Sequence, residues 1–150
     1  MFKHILLPTD GSELSQDTAR HAVSFASEAR ATITAFYAKP EYPVTYYGEG
    51  VLIDTTSPEK FAELAETQAQ EILDYVAGLC REAGVPCNKA TATSDVPYEV
   101  IIEAATNNGC DLIFMASHGR QGFTSLLLGS ETQKVLTHST IPVLVYRSPN

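Results

Sequence analysis

The sequence lacks several features that mark whole classes of protein. It contains no tryptophan, and no apolar run reaches the roughly 18 residues that a membrane-spanning helix needs. Lysine and arginine total 10 against 18 aspartates and glutamates, so the formal net charge is -8. Proteins that bind DNA, RNA or anionic membranes typically do so through basic surface patches. We therefore expect neither nucleic acid nor a membrane among the partners.

Cysteine is scarce and irregularly spaced. The three cysteines, Cys80, Cys87 and Cys110, form no CxxC pair, and their odd number does not suit a disulfide framework or a zinc knuckle. The apolar run near the N-terminus is too short for a signal peptide and lacks a small-residue cleavage site. These absences predict buried or idle thiols in a reducing cytosol, and therefore a cytoplasmic protein.

Alternating strand and helix patterns fill the chain. Its 150 residues, 44% of them hydrophobic, suit one domain spanning residues 1–150. Strands are predicted at 5–7, 32–38, 85–92, 112–116 and 141–146, and helices at 14–30, 58–83, 97–106 and from residue 130 onward. This βαβαβαβαβ order predicts a doubly wound α/β fold, an open parallel sheet with helices on both faces.

One stretch departs from that alternation. Residues 39–57 contain two prolines, two glycines and three tyrosines. A connection of this length in a compact domain is usually functional or disordered. We interpret it as a long loop or lid, with a mobile insertion as the alternative.

A glycine-bearing loop follows the fourth predicted strand. It has glycines at 119, 122 and 129 and ends where a helical pattern starts at Ser130. A strand, a glycine loop and a helix start form an anion-binding arrangement, because free backbone N–H groups converge and the helix dipole favours negative charge. Glycine also permits close approach and positive φ. We expect this loop to hold nucleotide phosphates; the alternative is a connection with no ligand.

Asp10 stands at the end of the first strand. In parallel sheets, ligands lie beyond the carboxyl ends of the strands where strand order reverses. If the first and fourth strands are neighbours there, Asp10 and the glycine loop face one crevice. As an acceptor, Asp10 suits ribose hydroxyls or an adenine amino group. The alternative is an Asx-turn with Ser12.

The loop residues have structural alternatives as well. Ser130 followed by Gln133 is a capping box, which satisfies a helix start without any ligand. Arg120 is either a phosphate contact or a solvated cation. His118 fits a structural role better than a catalytic one.

At this point the sequence resembles the universal stress protein family. The resemblance runs from residues 5–12 through 111–120 to 141–145. The nucleotide-binding branch of that family has the pattern G-x2-G-x9-G-[S/T]. Gly119, Gly129 and Ser130 match its last three positions. Ala116 replaces the first glycine, adding a methyl group and resisting positive φ.

The resemblance implies a five-stranded sheet of order 3-2-1-4-5 in a homodimer that binds ATP or a related adenine nucleotide, with Mg²⁺ on the phosphates. It implies an adenosine site at Pro8, Thr9, Asp10, Ala38, Met115 and Ala116, and a phosphate site at Gly119, Gly129, Ser130 and the N–H of Glu131. His118 and Arg120, on either side of Gly119, complete the candidate set. The carboxylate of Glu131 counts against the phosphate site, because it repels anions.

The C-terminal strand, residues 141–146, is apolar and β-prone. In the order 3-2-1-4-5 it lies at an edge, where unpaired backbone groups invite a second chain. A two-fold contact between these strands would give a homodimer. The alternative is an edge protected by Pro142 and the chain end.

Three functions remain open. We expect a cytosolic ATP-binding stress-response or signalling protein that acts through conformational change and a protein partner. The alternatives are a dimeric interaction module without nucleotide, and a slow ATP hydrolase or adenylylating enzyme. The sequence has no GxxxxGK[ST] loop and no GxSxG elbow. Only Arg120 supplies the loop with the cation that phosphoryl transfer needs, so we expect no fast catalysis.

Overall fold

The structure is a computed structural model that describes residues 1–47, 50–53, 57–119 and 127–149, with 44–47 and 50–53 described by their backbone alone. The elements in chain order are β1 (His4–Pro8), α1 (Glu13–Ala29), β2 (Thr32–Lys39), β3 (Val44–Tyr47), β4 (Gly50–Ile53), α2 (Pro58–Ala83), β5 (Cys87–Thr93), α3 (Pro97–Asn107), β6 (Leu112–Ala116), α4 (Ser130–His138) and β7 (Val143–Tyr146).

Five strands form one parallel sheet in the order β5-β2-β1-β6-β7. Numbered along the chain, these five strands have the order 3-2-1-4-5, so the predicted fold class and topology are confirmed. β1 is central because it pairs with β2 on one side and with β6 on the other. Strand order therefore reverses between β1 and β6, which places the switch point there.

Two hydrophobic cores lie on opposite faces of the sheet. In β1, Ile5 and Leu7 pack into the core beneath α1 and α2, whereas Leu6 packs into the core beneath α3. All three side chains are fully buried. This alternation explains why a continuous apolar run forms a central strand, since successive strand residues point to opposite faces.

Local signals set most helix ends. Ser57 caps α2 by accepting a hydrogen bond from the N–H of Lys60 at 3.1 Å, and Ser12 caps α1 through the N–H of Ser15 at 3.2 Å. Gly84 ends α2 with φ of 70°. That left-handed conformation is the one in which glycine has no steric cost.

The structure differs from the sequence prediction within residues 39–57. The backbone of β3 pairs with that of β4 as an antiparallel two-stranded unit, with Val44 opposite Ile53 and Tyr47 opposite Gly50. The prolines and glycines of this segment indicate a loop, but the β-branched and aromatic residues between them favour strands. The prediction of a lid stays a prediction.

The C-terminal strand is also shorter than predicted. β7 starts at Val143 rather than at residue 141, because the side chain of Ser139 forms a local turn with Ile141. Ser139 Oγ donates to the carbonyl of Ile141 at 2.7 Å and accepts from its N–H at 3.0 Å. β7 nevertheless lies at the predicted edge, and its four side chains are half-buried.

Candidate functional site

The first wall of the site is the turn after β1. The N–H of Thr9 donates to the carbonyl of Phe36 at 2.9 Å, which continues the ladder between β1 and β2. Asp10 Oδ1 accepts from the N–H of Ser12 at 2.9 Å, so the predicted Asx-turn is confirmed. Thr9 Oγ1 donates to Ser15 Oγ at 3.1 Å. These bonds fix Asp10 at the carboxyl end of the central strand.

The second wall is the segment after β6. The N–H of Ser117 donates to the carbonyl of Tyr146 at 2.9 Å, and the carbonyl of Ser117 accepts from the N–H of Gly129 at 2.8 Å. Thr132 Oγ1 donates to the carbonyl of Ala116 at 3.0 Å. These bonds join the end of β6 to the start of α4, and so hold together the two residues, Ser117 and Gly129, between which the glycine loop runs.

Close contacts, rather than backbone conformation, leave little room for a side chain at Gly119 and Gly129. A Cβ at Gly119 would lie 2.9 Å from Asp10 Oδ2, and one at Gly129 would lie 3.0 Å from His118 Cα. Gly129 has φ of -61° and ψ of 153°, an extended conformation that any residue adopts. Positive φ is therefore not needed at Gly129, nor at Ala116, which lies within β6.

The predicted capping box at the start of α4 was wrong. The N-cap is Gly129, which has no side chain, and Ser130 is already the first helical residue. Gln133 Nε2 donates to the carbonyl of Leu128 at 2.8 Å instead of returning to Ser130. The N-cap therefore provides no side-chain acceptor for the first N–H groups of α4.

The carboxylate of Glu131 is occupied elsewhere. Its Oε2 accepts from the N–H of Tyr98 at 2.9 Å, near the start of α3, where the N-cap residue Val96 makes no side-chain capping bond. Its Oε1 lies 3.5 Å from Lys134 Nζ. Glu131 thus caps a neighbouring helix, which reduces the repulsion predicted for a phosphate at α4.

A cavity of about 760 Å³ lies between the two walls. It is lined by eleven of the twelve residues predicted from the sequence, namely Pro8, Thr9, Asp10, Ala38, Met115, Ala116, His118, Gly119, Gly129, Ser130 and Glu131. The twelfth, Arg120, lies outside the described residues, as does Gly122. His118 is half-buried, and its Nδ1 lies 3.2 Å from Ser117 Oγ.

The sequence prediction missed part of the lining. The additional residues are Ser15, Phe36, Tyr37, Asp95, Pro97, Ile101, Leu127, Leu128, Thr132 and Gln133. Asp95 follows the carboxyl end of β5, and its Oδ1 accepts from the N–H of Glu41 at 3.0 Å. A signal for Asp95 existed, because it follows the third sheet strand much as Asp10 follows the first.

Two classes of feature are missing from the described part of the chain. Within residues 1–47, 50–53, 57–119 and 127–149, no cluster of three His, Cys, Asp or Glu residues could hold a metal ion. Over the same ranges, no helix is both long and apolar enough to cross a membrane.

The fold and the cavity define a doubly wound α/β domain with a ligand-sized cleft at its switch point. The sequence pattern of the universal stress protein family matches residues 1–147. Universal stress protein MJ0531 of Methanocaldococcus jannaschii is 35% identical over 150 residues, covering 99% of this chain and 84% of that protein. The chain therefore belongs to the universal stress protein family.

Solved structures agree on the fold. The structure of protein MJ0577, from the same archaeon, aligns with a TM-score of 0.76 and 26% identity over 100% of this chain and 99% of that one. A universal stress protein from Arabidopsis thaliana with AMP bound aligns with a TM-score of 0.68 and 18% identity, covering 98% and 93% of the two chains. At that identity the likeness shows the fold alone.

Proposed function

We propose that this universal stress protein binds an adenine nucleotide, ATP or a relative, in the cavity at the switch point. The observation that carries the proposal is the convergence of eleven predicted residues on that one cavity. Its volume falls within the roughly 300–1,000 Å³ typical of small-molecule sites. Within this proposal the protein acts in the cytosol as a stress-response or signalling protein, switching a protein partner by its ligand state.

The adenosine half suits the wall formed by β1, β2 and β6. Met115 is 6% exposed and supplies a polarisable thioether to a flat aromatic base. Ala38 and Ile101 add apolar surface to the same lining. Asp10 Oδ1 is held by the N–H of Ser12, which aims the carboxylate at one position and suits it to accept from ribose hydroxyls.

The phosphate half suits the start of α4. The N-cap has no side chain, and Ser130, Glu131 and Thr132 line the cavity there. Their N–H groups are among the first four of a helix, which have no intrahelical partner. The helix dipole adds favourable potential, as the overall charge of -8 requires.

A divalent cation fits this site only with the nucleotide. Mg²⁺ keeps several waters and is commonly held by substrate phosphates with one or two carboxylates. Asp10 and Asp95 both line the cavity. The residues present therefore fit a phosphate-bound Mg²⁺ and not a protein-made metal cage.

The AMP-bound universal stress protein from Arabidopsis supports the ligand class, because the same fold there holds an adenine nucleotide. Isothermal titration with ATP, ADP and AMP in Mg²⁺ is the direct test. We expect saturable binding at or below millimolar ligand, and retained nucleotide in the denatured supernatant by mass spectrometry. The absence of both a binding heat and a thermal shift at millimolar ligand would overturn the proposal and favour an interaction module with an empty site.

Turnover is proposed to be slow or absent. The sequence has no Walker lysine, and none of Lys60, Lys89 and Lys134 lines the cavity. Hydrolysis of saturating ATP should stay far below the roughly 1–10³ s⁻¹ common for enzymes. A rate inside that range, lost on substitution of Asp10, would make the protein an ATP hydrolase.

We also propose a homodimer through β7. Its half-buried side chains and edge position leave one row of backbone groups for a symmetry mate. Replacing both Val143 and Val145 with lysine should convert a dimer into monomers in sedimentation experiments, with Leu136→Lys, an exposed position on α4, as the matched control. A monomeric parent protein at micromolar concentration would refute the dimer, and a dimer in the double variant would move the interface elsewhere.

A further inference from the structure

Asp95 lines the cavity from the connection between β5 and α3, a part of the chain that contains none of the predicted site residues. Its Oδ1 accepts from the N–H of Glu41 at 3.0 Å. Beside it, the N–H of Ser94 donates to the carbonyl of Lys39 at 2.9 Å. These two bonds tie the end of β5 to the end of β2, and so hold the Asp95 carboxylate at the rim of the cavity.

The strand order determines which end of a nucleotide would meet Asp95. The cavity extends across the carboxyl ends of β6, β1 and β2 to the segment after β5. The start of α4 lies beside β6, because the N–H of Gly129 donates to the carbonyl of Ser117. With the phosphates at α4, the ribose would lie beside Asp10 after β1, and the base would lie at Ala38 of β2. The far edge of the base would then face Asp95.

The strand register makes the end of β5 a wall at that side of the cavity. The last residue of β1 pairs with Phe36 of β2, whereas the last residue of β5 pairs with Lys39, three residues further along. Since β5 also lies two strands to the side, the ends of β1 and β5 are about 14 Å apart. A nucleoside spans such a distance when it makes a hydrogen bond at each end.

The surroundings of Asp95 in the cavity are apolar. Ala38, Pro97 and Ile101 line this end, and the side chain of Tyr37 packs into the core beneath α1 and α2 instead. Among the residues that the structure describes in β2, the β5–α3 connection and α3, Asp95 alone brings a polar side chain to this end of the cavity. A polar group of the base would therefore find its side-chain partner in Asp95.

We propose that Asp95 determines base specificity by accepting a hydrogen bond from the 6-amino group of adenine, an inference that rests on the nucleotide site proposed above. A carboxylate has about four lone-pair positions, so the bond from Glu41 leaves acceptor capacity for the base. Adenine presents an N–H donor at position 6, whereas guanine presents an oxygen there, which a carboxylate repels. A site that hydrogen-bonds such a donor rejects an analogue without it, because the polar group of the site is left unpaired.

The two carboxylates Asp10 and Asp95 therefore have different roles. Asp10 Oδ2 lies next to the glycine loop, 2.9 Å from the position of a Cβ at Gly119. Asp95 stands at the opposite end of the cavity, away from the start of α4. A carboxylate ligand for Mg²⁺ on the phosphates would thus come from Asp10, and substitution of Asp95 should leave the Mg²⁺ dependence of binding unchanged.

Isothermal titration with two ligands that differ only at position 6 of the base tests the proposal. Purine riboside triphosphate lacks the amino group of ATP and is otherwise the same molecule. We expect the parent protein to bind ATP at least about fivefold more tightly than purine riboside triphosphate, and Asp95→Asn to bring the two affinities within about twofold of each other. Asparagine keeps an oxygen acceptor for the N–H of Glu41 but can present its amide N–H₂ to the base.

Asp74→Asn is the matched control, because it removes the same charge from an exposed carboxylate of α2 that pairs with Lys89 outside the cavity. This variant should keep the preference of the parent protein for ATP. A control that loses the preference would contradict the proposal, since the charge of the whole protein would then decide the ratio.

The remaining outcomes separate this inference from the nucleotide site on which it rests. A parent protein that binds neither ligand would overturn both. ATP binding with a preference that Asp95→Asn leaves unchanged, or an equal loss of both ligands in that variant, would overturn the inference alone. So would a Mg²⁺ dependence that changes in Asp95→Asn, or a parent protein that binds GTP more tightly than ATP, because the carboxylate would then serve the phosphates or the N–H groups of guanine.

Discussion

The two ends of the parallel sheet differ in whether side chains of the same chain cap the exposed backbone N–H groups. At the amino end, the Asp111 carboxylate accepts from the N–H of Lys3 at 2.9 Å and from the N–H of His4 at 3.0 Å. His4 in turn bonds the Thr34 hydroxyl at 2.7 Å. At the carboxyl end, α4 begins at Ser130, its N-cap residue Gly129 offers no side-chain cap, and the strands end against a cavity of about 760 Å³. At the amino end the chain's own carboxylate caps the backbone N–H groups, whereas at the carboxyl end the first N–H groups of α4 receive no side-chain cap.

Because of this difference, we expect residues at the amino end to affect the stability of the fold and residues at the carboxyl end to affect ligand binding. A backbone N–H that is bonded within the chain stabilises the fold and is unavailable to a ligand, whereas N–H groups left at a helix start are available to one. Substitutions at the amino end should change unfolding alone. Substitutions at the carboxyl end should change nucleotide affinity, with or without a change in unfolding.

The largest effect is expected from Gly129→Val. A Cβ there lies 3.0 Å from His118 Cα and 3.4 Å from the carbonyl oxygen of Ser117, so the valine displaces the base of the glycine loop. We expect nucleotide affinity to fall at least about 100-fold, equivalent to roughly 2.7 kcal/mol, and the free energy of unfolding to fall by about 1–3 kcal/mol. Calorimetric titration and urea unfolding measure the two quantities.

Gly78→Ala is the control for that variant. A Cβ at Gly78 meets nothing within 4 Å, and the residue lies inside α2, so alanine should raise the free energy of unfolding by up to about 1 kcal/mol with affinity unchanged. A Gly129→Val protein that unfolds more easily yet binds ATP normally would show that Gly129 serves packing alone.

The next effect is expected at the amino end, from Asp111→Ala. Removing the carboxylate leaves the N–H groups of Lys3 and His4 without their acceptor. We expect the free energy of unfolding to fall by about 1–2 kcal/mol, discounted for partial exposure, while nucleotide affinity stays within twofold of the parent protein. A comparable loss of affinity would contradict the separation of the two ends.

Acid should remove the contribution of Asp111. Burial raises the pKa of this carboxyl group, but the N–H donors of His4 and Lys3 outweigh burial and leave it below its ordinary value. A lowered folded-state pKa means that the stabilisation is complete above the unfolded value of about 4 and is lost as pH falls through the lower folded value. The difference in unfolding free energy between the parent protein and Asp111→Ala should therefore shrink below about pH 4 in urea titrations.

The smallest effect is expected from Glu131→Gln. Glutamine keeps an oxygen acceptor for the N–H of Tyr98 and removes the negative charge next to the proposed phosphate site. Because that charge is already directed at α3 and Lys134, we expect ATP affinity to rise less than about threefold. A tenfold gain would mean that the carboxylate faces the phosphates, and that the two ends differ less than their hydrogen bonds indicate.

The sheet and the position of its cavity could be predicted from the sequence because both follow from the periodic pattern of apolar residues. Apolar strands alternating with amphipathic helices predict a parallel sheet, and the ends of its strands predict where a ligand would lie. Asp10 and Gly119 were found in this way, and the structure brings the Asp10 carboxylate so close to Gly119 that a Cβ there would lie 2.9 Å from it. The resemblance supplied the strand order, which periodicity alone leaves open.

What the sequence did not predict depends on contacts between distant segments. Gly129 was predicted to hold phosphate, with a connection that binds no ligand as the alternative, and its close packing against His118 and Ser117 was not predicted. The carboxylate of Glu131 was counted against phosphate, yet it accepts from the N–H of Tyr98, 33 residues earlier in the sequence, and so caps α3.

The central position of β1 has a consequence for the order in which the chain acquires its structure during synthesis. β1 is made first and pairs with β2 soon after, but its other edge waits for β6, and the bond between His4 and Asp111 spans 107 residues. Until that segment emerges, one side of the innermost strand has open backbone groups. Contacts this distant in sequence slow folding, and exposed strand edges are sites of misassembly. During synthesis, β1 is therefore the strand most exposed to misassembly, although it is the central strand of the folded sheet.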